Sequence, residues 1–417
     1  MAVTFEKIQS AYAQMRSHLR PTPSRFSPLL SQQTHTHLIL KFENLQRTGS
    51  FKDRGAWVKM ESLCAQEKVQ GVLAVSAGNH AQAVADQANQ RQIPATLIMP
   101  SFAPQVKVDR TRQSGAEILL QGETLDDAIA LGLALARDRG LTFIHPYDDE
   151  QIITGQGTVA LELLQAHPDL EVLIVPVGGG GLLAGMAIAA KHLKPNLHLI
   201  GVETEQFPTL WQTLHQHPIR CGHSTLADGI AVKSPGHLTQ PILEQWMDEL
   251  VLVDETAIEA ALLLLLDTEK TLVEGAGAVA LAALFKLGKR LQGKDVGIIL
   301  SGGNIDPLTL SAVIQRNLFR TARLVHLYVT LRDIPGSLAQ VTQILAAQGA
   351  NIMEVHHHRE FSALALQTVE LELVLLTRGH THLASIQADL EAAHCQTRTQ
   401  PIACQGLPPA PQILTAS

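Results

Sequence analysis

Residues 171–193 read EVLIVPVGGGGLLAGMAIAAKHL. Glu171 to Val177 form a short β-branched run, as expected of a strand in a sheet covered on both faces. Gly178, Gly179, Gly180 and Gly181 follow it directly. Four consecutive glycines cost the chain too much entropy to be a casual loop. From Leu182 to Leu193 the pattern is that of a helix. Strand, glycine loop and helix in that order form the repeating unit of parallel α/β sheets. Backbone N–H groups in such a loop can converge on an anion, and the helix N-terminus adds positive potential. The stretch therefore predicts a phosphate-binding turn, with a purely structural turn as the alternative.

The same alternation extends outward from about Leu38 to Ile305. Strands are expected at HLILKFE (37–43), GVLAVS (71–76), ATLIMP (95–100), HLIGVE (198–203), ELVLVD (249–254) and DVGIILS (295–301), with helical segments between them. The fold class expected is α/β, with mostly parallel open sheets covered by helices on both faces. Ligands of such sheets gather at the carboxyl ends of the strands. The glycine loop also carries a competing signal. Gly179-x-Gly181-x-x-Ala184, with Glu203 ending the next strand, fits a loose dinucleotide fingerprint. That reading leaves the other strand-end loops unexplained.

Near Arg320 the texture changes. LVHLYVTL (324–331), GSLAQVTQILAAQG (336–349), NIMEVHHHRE (351–360), TVELELVLLT (368–377), HTHLASIQADLEAA (380–393) and TQPIAC (399–404) read in the order βαββαβ, a ferredoxin-like sandwich. The expected organisation is a catalytic domain over 1–320 with a smaller lobe at about 45–150, a regulatory domain over 323–404, and a loose Pro-rich tail over 405–417.

Bulk composition excludes several classes. The 417 residues are 46% hydrophobic and 17% charged, a globular balance able to fill a core. A net charge of −7 argues against nucleic acid or an anionic membrane as partner. Cys64, Cys221, Cys395 and Cys404 lack the spacing of a disulfide framework or a zinc ribbon. The first 19 residues read as an amphipathic helix, without the apolar core of a signal peptide. The apolar run Ala260 to Leu266 is far too short to span a membrane and is flanked by Glu259 and Asp267. A cytoplasmic protein is expected.

Three further loops carry chemistry. Lys52, in Thr48–Gly49–Ser50–Phe51–Lys52–Asp53–Arg54–Gly55–Ala56, could join a cofactor aldehyde as a Schiff base, and burial would favour its free amine. On charge pattern alone the solvated surface lysine is the favoured reading. Ser76–Ala77–Gly78–Asn79–His80 lies between strand and helix. Its amides could hold a carboxylate, and Asn79 could bond a phenolic oxygen; a plain N-cap turn is the other reading. Ser301–Gly302–Gly303–Asn304 ends a strand, where a hydroxyl could meet a ring nitrogen, although alone it is an ordinary turn.

Together these loops resemble the tryptophan-synthase-like group of pyridoxal-phosphate enzymes, and most closely threonine dehydratase (threonine ammonia-lyase). The matching stretches are Ser50 to Ala56, Ser76 to Gln82, Gly178 to Leu182 and Ser301 to Asn304, in the family's order. The resemblance spans roughly residues 5 to 320. It implies a pyridoxal 5'-phosphate cofactor bound as a Schiff base to Lys52. Phe51 would lie beside the ring, Asn79 at its hydroxyl, and Ser301 at its nitrogen. Gly178, Gly179, Gly180, Gly181 and Leu182 would hold the phosphate, and Gly229 the cofactor's edge. Ser76, Ala77, Asn79 and His80 would hold the substrate carboxylate. The implied reaction is β-elimination of L-threonine to 2-oxobutanoate and ammonia, and of L-serine to pyruvate, with Lys52 as the base.

Asp333 to Leu338 followed by Gly349 to Ile352 resembles an ACT domain. That implies an amino-acid effector such as isoleucine, and a homodimer or homotetramer. Serine racemases share most of these features but usually carry a serine where Ala77 stands, which favours elimination here. They also tend to have an acidic metal site starting at a residue like Glu203. Phe207 and Thr209 occupy the partner positions, so no metal is expected. His356 to His358 lies on a strand, where neighbours point to opposite faces, which also argues against a metal. Glu274 resembles a residue of a loop near the active site and reads equally as a helix N-terminal acid. A catalytically inactive amino-acid sensor is the reading from a different class.

Overall fold

The computed structural model describes residues 3–399 apart from 102, 104, 124 and 359–366. Two compact units divide between Asp306 and Pro307. The first contains two sheets. In the larger, six strands lie in the order Ser24–Phe26, His37–Lys41, Asp295–Ile299, Val172–Pro176, His198–Thr204 and Glu249–Val253. All of their pairings are parallel except the first. In the smaller, Glu117–Leu120, Ala95–Met99, Val72–Val75 and Thr142–Phe143 are parallel throughout. Val172–Pro176 is buried at every residue, which explains its unbroken apolar sequence.

The strand expected over 171–177 is thus Val172–Pro176, and the glycine loop delivers the chain into the helix Gly181–Leu193. That helix crosses Glu150–Ala166 at backbone contact. A Cβ on Gly157 would lie 2.7 Å from the Gly185 carbonyl oxygen, so neither helix can carry a side chain there. Asp149 starts the second of these helices by accepting from the amides of Gln151 and Ile152 at 2.8 and 3.1 Å. The run Ala260 to Leu266 lies within the helix Glu255–Thr268, with Ala261, Leu262 and Leu265 buried.

The second unit holds a helix, Pro307–Arg320, and then βαββαβ: Leu324–Arg332, Ser337–Gln348, Asn351–His358, Thr368–Leu376, His380–Ala392 and Gln396–Thr399. All four strands pair antiparallel, in the order third element, fourth, first, last. Leu327, Val329, Leu371 and Leu373 pack with Val341, Leu345, Ile386 and Leu390 into its core. The last strand precedes the stretch expected at 399–404. Its register is set by Leu327 to Thr330 pairing with Thr399 back to Gln396. The rest of the expected strand, with Cys404 and the tail 405–417, lies outside the described residues.

Candidate functional site

Strand ends of both sheets in the first unit converge on one place. Lys52 opens the helix Lys52–Ser62 and is half-buried, with its Nζ donating to the Pro146 carbonyl at 2.7 Å. Burial lowers its pKa to about 8, while Glu274 opposes the change. The ammonium lies 5.1 Å from the centre of the Phe51 ring. Two residues further on, Arg54 anchors the same helix. It donates from Nε and Nη2 to Glu43 at 2.8 Å each and pairs with Glu162 at 2.8 Å. Lys41 completes this buried cluster, 2.6 Å from Glu162. The buried carboxylate of Asp53 accepts from the Thr48 amide at 2.9 Å and closes the turn that leads into Lys52.

Asn79 begins the helix Asn79–Gln90 after the strand Val72–Val75. Its side-chain Nδ2 donates to Glu274 Oε1 at 2.6 Å, and its Oδ1 accepts from Asn304 Nδ2 at 2.8 Å. The Asn304 Nδ2 also donates to the Thr48 carbonyl at 2.7 Å. Ser76 accepts from the Gly78 amide at 3.1 Å. The amides of Ala77, Asn79 and His80 have no acceptor among the described residues. His80 reaches this place only through its backbone. Its ring is buried against the Ile144 carbonyl at 2.9 Å, and burial holds its pKa down at about 3.

The amides of Gly178 to Leu182 likewise donate to no described residue. Behind them, Thr239 Oγ1 donates to the Gly179 carbonyl at 2.6 Å. The Tyr147 ring lies so close to Gly179 that any Cβ there would overlap it. Gly180 takes φ +90°, open to glycine at little cost. Ser301, 2% exposed, follows the strand Asp295–Ile299. Its carbonyl accepts from the Phe51 amide at 3.1 Å, and its hydroxyl has no partner among the described residues. Gly229 lies in the turn Asp228–Ile230, where a Cβ would be 3.4 Å from Glu274 Oε1.

A family model described as "Pyridoxal-phosphate dependent enzyme" matches residues 15–302. The chain belongs to that family. It is 41% identical over 399 residues to an L-threonine ammonia-lyase of Thermotoga maritima, covering 95% of this chain and 99% of that one. It is 43% identical over 392 residues to an L-threonine ammonia-lyase of Geobacter sulfurreducens, covering 92% and 96%. Among solved structures, threonine deaminase isoform 2 of Solanum lycopersicum superposes with a TM-score of 0.71 at 33% identity, covering 75% of this chain and 87% of that one. Maize serine racemase gives the same TM-score and identity, covering 76% and 98%.

The residues present fit the family's cofactor. Unpartnered amides at Gly178 to Leu182 suit a phosphate, and the orphaned Ser301 hydroxyl, buried at a strand end, suits a ring nitrogen. A lysine with a lowered pKa stands between them and the Asn79 loop.

Three expectations need adjustment or completion. Glu203 is buried, and its carboxylate accepts from the Leu210 and Trp211 amides at 2.8 and 2.9 Å. His356 and His358 share a face of their strand, with ring centroids 6.3 Å apart, and pair separately with Glu354 and Glu372. Glu274, weighed equally as a helix cap in the sequence, is buried beside Asn79, and burial raises its pKa to about 7. Asn304 was part of a motif without a role of its own, and Tyr147 gave no signal at all. Only their positions after the strands Asp295–Ile299 and Thr142–Phe143 could have drawn attention to that rim. No helix among the described residues is long and apolar enough to cross a membrane.

Proposed function

We propose that this protein removes ammonia from L-threonine, yielding 2-oxobutanoate, and from L-serine, yielding pyruvate. The observation that carries the reading is the convergence of Lys52, the free amides of the Asn79 loop, the glycine cradle and the Ser301 hydroxyl at strand ends of two sheets. Identity above 40% with curated L-threonine ammonia-lyases over more than nine-tenths of both chains supports it.

Pyridoxal phosphate, when bound, supplies the electron sink that makes a substrate α-proton acidic and lets a β-hydroxyl depart. The protein's part is positioning and proton transfer. Amides of Gly178 to Leu182 would hold the phosphate, Gly229 the edge of the ring, Phe51 its flank, and Asn79 and Ser301 its polar atoms. The amides at Ala77, Asn79 and His80, with the Ser76 hydroxyl, bind the substrate carboxylate. Lys52 Nζ, its pKa lowered by burial to about 8, takes the α-proton as the free amine. Ala77 has no proton to return from the opposite face, so elimination is favoured over racemisation although serine racemases share the fold.

We read the second unit as an ACT-like module that binds an amino-acid effector and pairs the chain into a dimer or tetramer. Its βαββαβ order supports this, as do Gly336 and Gly349, which take φ +95° and +71° at the two ends of one helix. A reducing, cytoplasmic setting is part of the same reading, in keeping with Cys64, Cys221 and Cys395, which are all free thiols.

The test is product formation from L-threonine by the purified protein, with Lys52→Ala as the control. Loss of 2-oxobutanoate and of the visible cofactor absorption is expected in the variant. A protein that turned over neither threonine nor serine would be the inactive sensor, and D-serine as sole product from L-serine would make it a racemase. Titration with isoleucine and valine, on the full chain and on one ending before Pro307, tests the effector reading.

A further inference from the structure

The hydrogen-bond chain Thr48–Asn304–Asn79–Glu274 has a direction fixed from its Thr48 end. The Thr48 end is a backbone carbonyl, which can only accept, and it takes one N–H of Asn304 at 2.7 Å. The second N–H of that amide goes to Asn79 at 2.8 Å, so the Asn79 atom facing it must be the oxygen. The Asn79 nitrogen is thereby turned toward Glu274 Oε1, 2.6 Å away. That nitrogen has two hydrogens and one partner among the described residues.

Two glycines make room for this arrangement. A Cβ on Gly49 would stand 2.8 Å from Asn304 Oδ1. One on Gly302 would overlap Glu274 Oε1 outright. The Glu274 amide in turn donates to the Gly302 carbonyl at 3.0 Å, tying the carboxylate's own backbone to the loop that carries Ser301.

We propose that Glu274 and Asn304 are positioning residues which lock the Asn79 side-chain amide in one of its two flip states, so that it offers an N–H, and not its carbonyl, to the ring oxygen of the cofactor. The proposal rests on Asn79 facing that oxygen and goes beyond it by naming what sets the amide's direction. An amide free to flip would present its carbonyl part of the time, and two acceptors would then face each other. Thr48 is four residues before Lys52 on the same turn, so the loop that supplies the lysine also dictates the polarity of the distant amide.

The test uses the full-length holoprotein and two readouts apart from turnover: the cofactor dissociation constant, and the pH titration of the visible absorption of the lysine-bound cofactor. Asn79→Ala sets the reference, with an expected weakening of roughly tenfold for one lost hydrogen bond to a partly charged oxygen. Asn304→Ala and Glu274→Ala should each move both readouts most of the way to that reference. The double variant Asn79→Ala/Glu274→Ala should weaken the dissociation constant no further, since Glu274 acts on affinity through Asn79. Glu274→Gln retains an acceptor oxygen and should restore the wild-type cofactor dissociation constant, whereas its titration shifts because the charge that raises the Lys52 pKa is gone. Additive effects on the dissociation constant in the double variant would overturn the proposal, as would a wild-type titration in Asn304→Ala. Failure of Glu274→Gln to rescue the dissociation constant would overturn it too, by showing that charge and not direction matters. If Asn79→Ala itself leaves both readouts unchanged, the underlying contact fails, and that outcome is distinct because the reference alone reveals it.

Discussion

Arg54→Met tests whether the helix bearing Lys52 is held by its buried charges. Arg54 is 2% exposed, and its partners Glu43 and Glu162 are 0% and 8% exposed. Methionine keeps the bulk of the side chain but leaves Glu43 with the Thr22 hydroxyl at 2.5 Å as its remaining side-chain hydrogen bond. Lys41, itself 2.6 Å from Glu162, answers only one of the two carboxylates directly. Breaking a buried pair by removing one partner costs about 3–5 kcal/mol. For a unit of this size that corresponds to a fall in melting midpoint on the order of 10 °C.

The loss should depend on pH, and its sign follows from Glu43. Burial pushes the Glu43 pKa up, but the charge and hydrogen bonds of Arg54 outweigh it and hold the value below 4.5. In the intact protein the carboxylate therefore contributes stability above its unfolded pKa, and this is lost only as pH falls through the folded value. Without Arg54 the burial remains and the compensation goes, so folding now favours the protonated acid. Its contribution is then present at low pH and is lost as pH rises. The gap between variant and wild type should widen from about pH 5 to about pH 8. Thermal unfolding of both proteins at the two pH values measures it, and Glu43→Gln/Arg54→Met should lose less than the two single changes together. A variant that melts with the wild type, or loses the same amount at both pH values, would refute the account.

Other outcomes can be checked alongside. Glu203, 1% exposed, has its pKa raised by burial from 4.5 to about 7, so its folded form favours the proton and stability drains away as pH rises across that interval. Glu203→Gln should therefore gain on the wild type between those two pH values, by at most ~3 kcal/mol at about 1.36 kcal/mol per pH unit, read by urea unfolding. Gly180→Ala forces a side chain into φ +90° with its Cβ 2.8 Å from Thr239 Oγ1. Strain of about 1–2 kcal/mol should appear as weaker cofactor binding in an absorbance titration. Ala77→Ser places a hydroxyl in the loop opposite Lys52, and chiral chromatography after incubation with L-serine should detect D-serine that the wild type does not make.

The architecture was legible where sequence periodicity reports burial. The unbroken apolar run at Val172 to Val177 could only be a strand covered on both faces, and the glycines after it could only be a special loop. Ser24–Phe26, Glu117–Leu120 and Thr142–Phe143 were not read as strands. Each is short and lies at the edge of its sheet, so half-burial leaves little alternation to detect. Lys52 and Glu274 illustrate a different limit. A charge in a sequence carries no sign of its burial, which depends on the elements folded over it. Lys52 was placed only because three other loops suggested a cofactor, and Glu274 became distinctive only once Asn79 lay 2.6 Å away.

Lys52 and Asn79 open helices packed against the small sheet, while the glycine cradle and Ser301 end strands of the large one. A ligand gripped by all four ties together two half-cores that otherwise meet where the helix Lys52–Ser62 packs on Glu150–Ala166, so closely that a Cβ on Gly155 would lie 2.5 Å from the Arg54 carbonyl oxygen. Binding at a hundredfold excess over its dissociation constant adds about 2.7 kcal/mol against opening. Chains short of cofactor open more often, and an opened chain is what proteases cut. Resistance of the folded chain to proteolysis should therefore rise with the concentration of its cofactor.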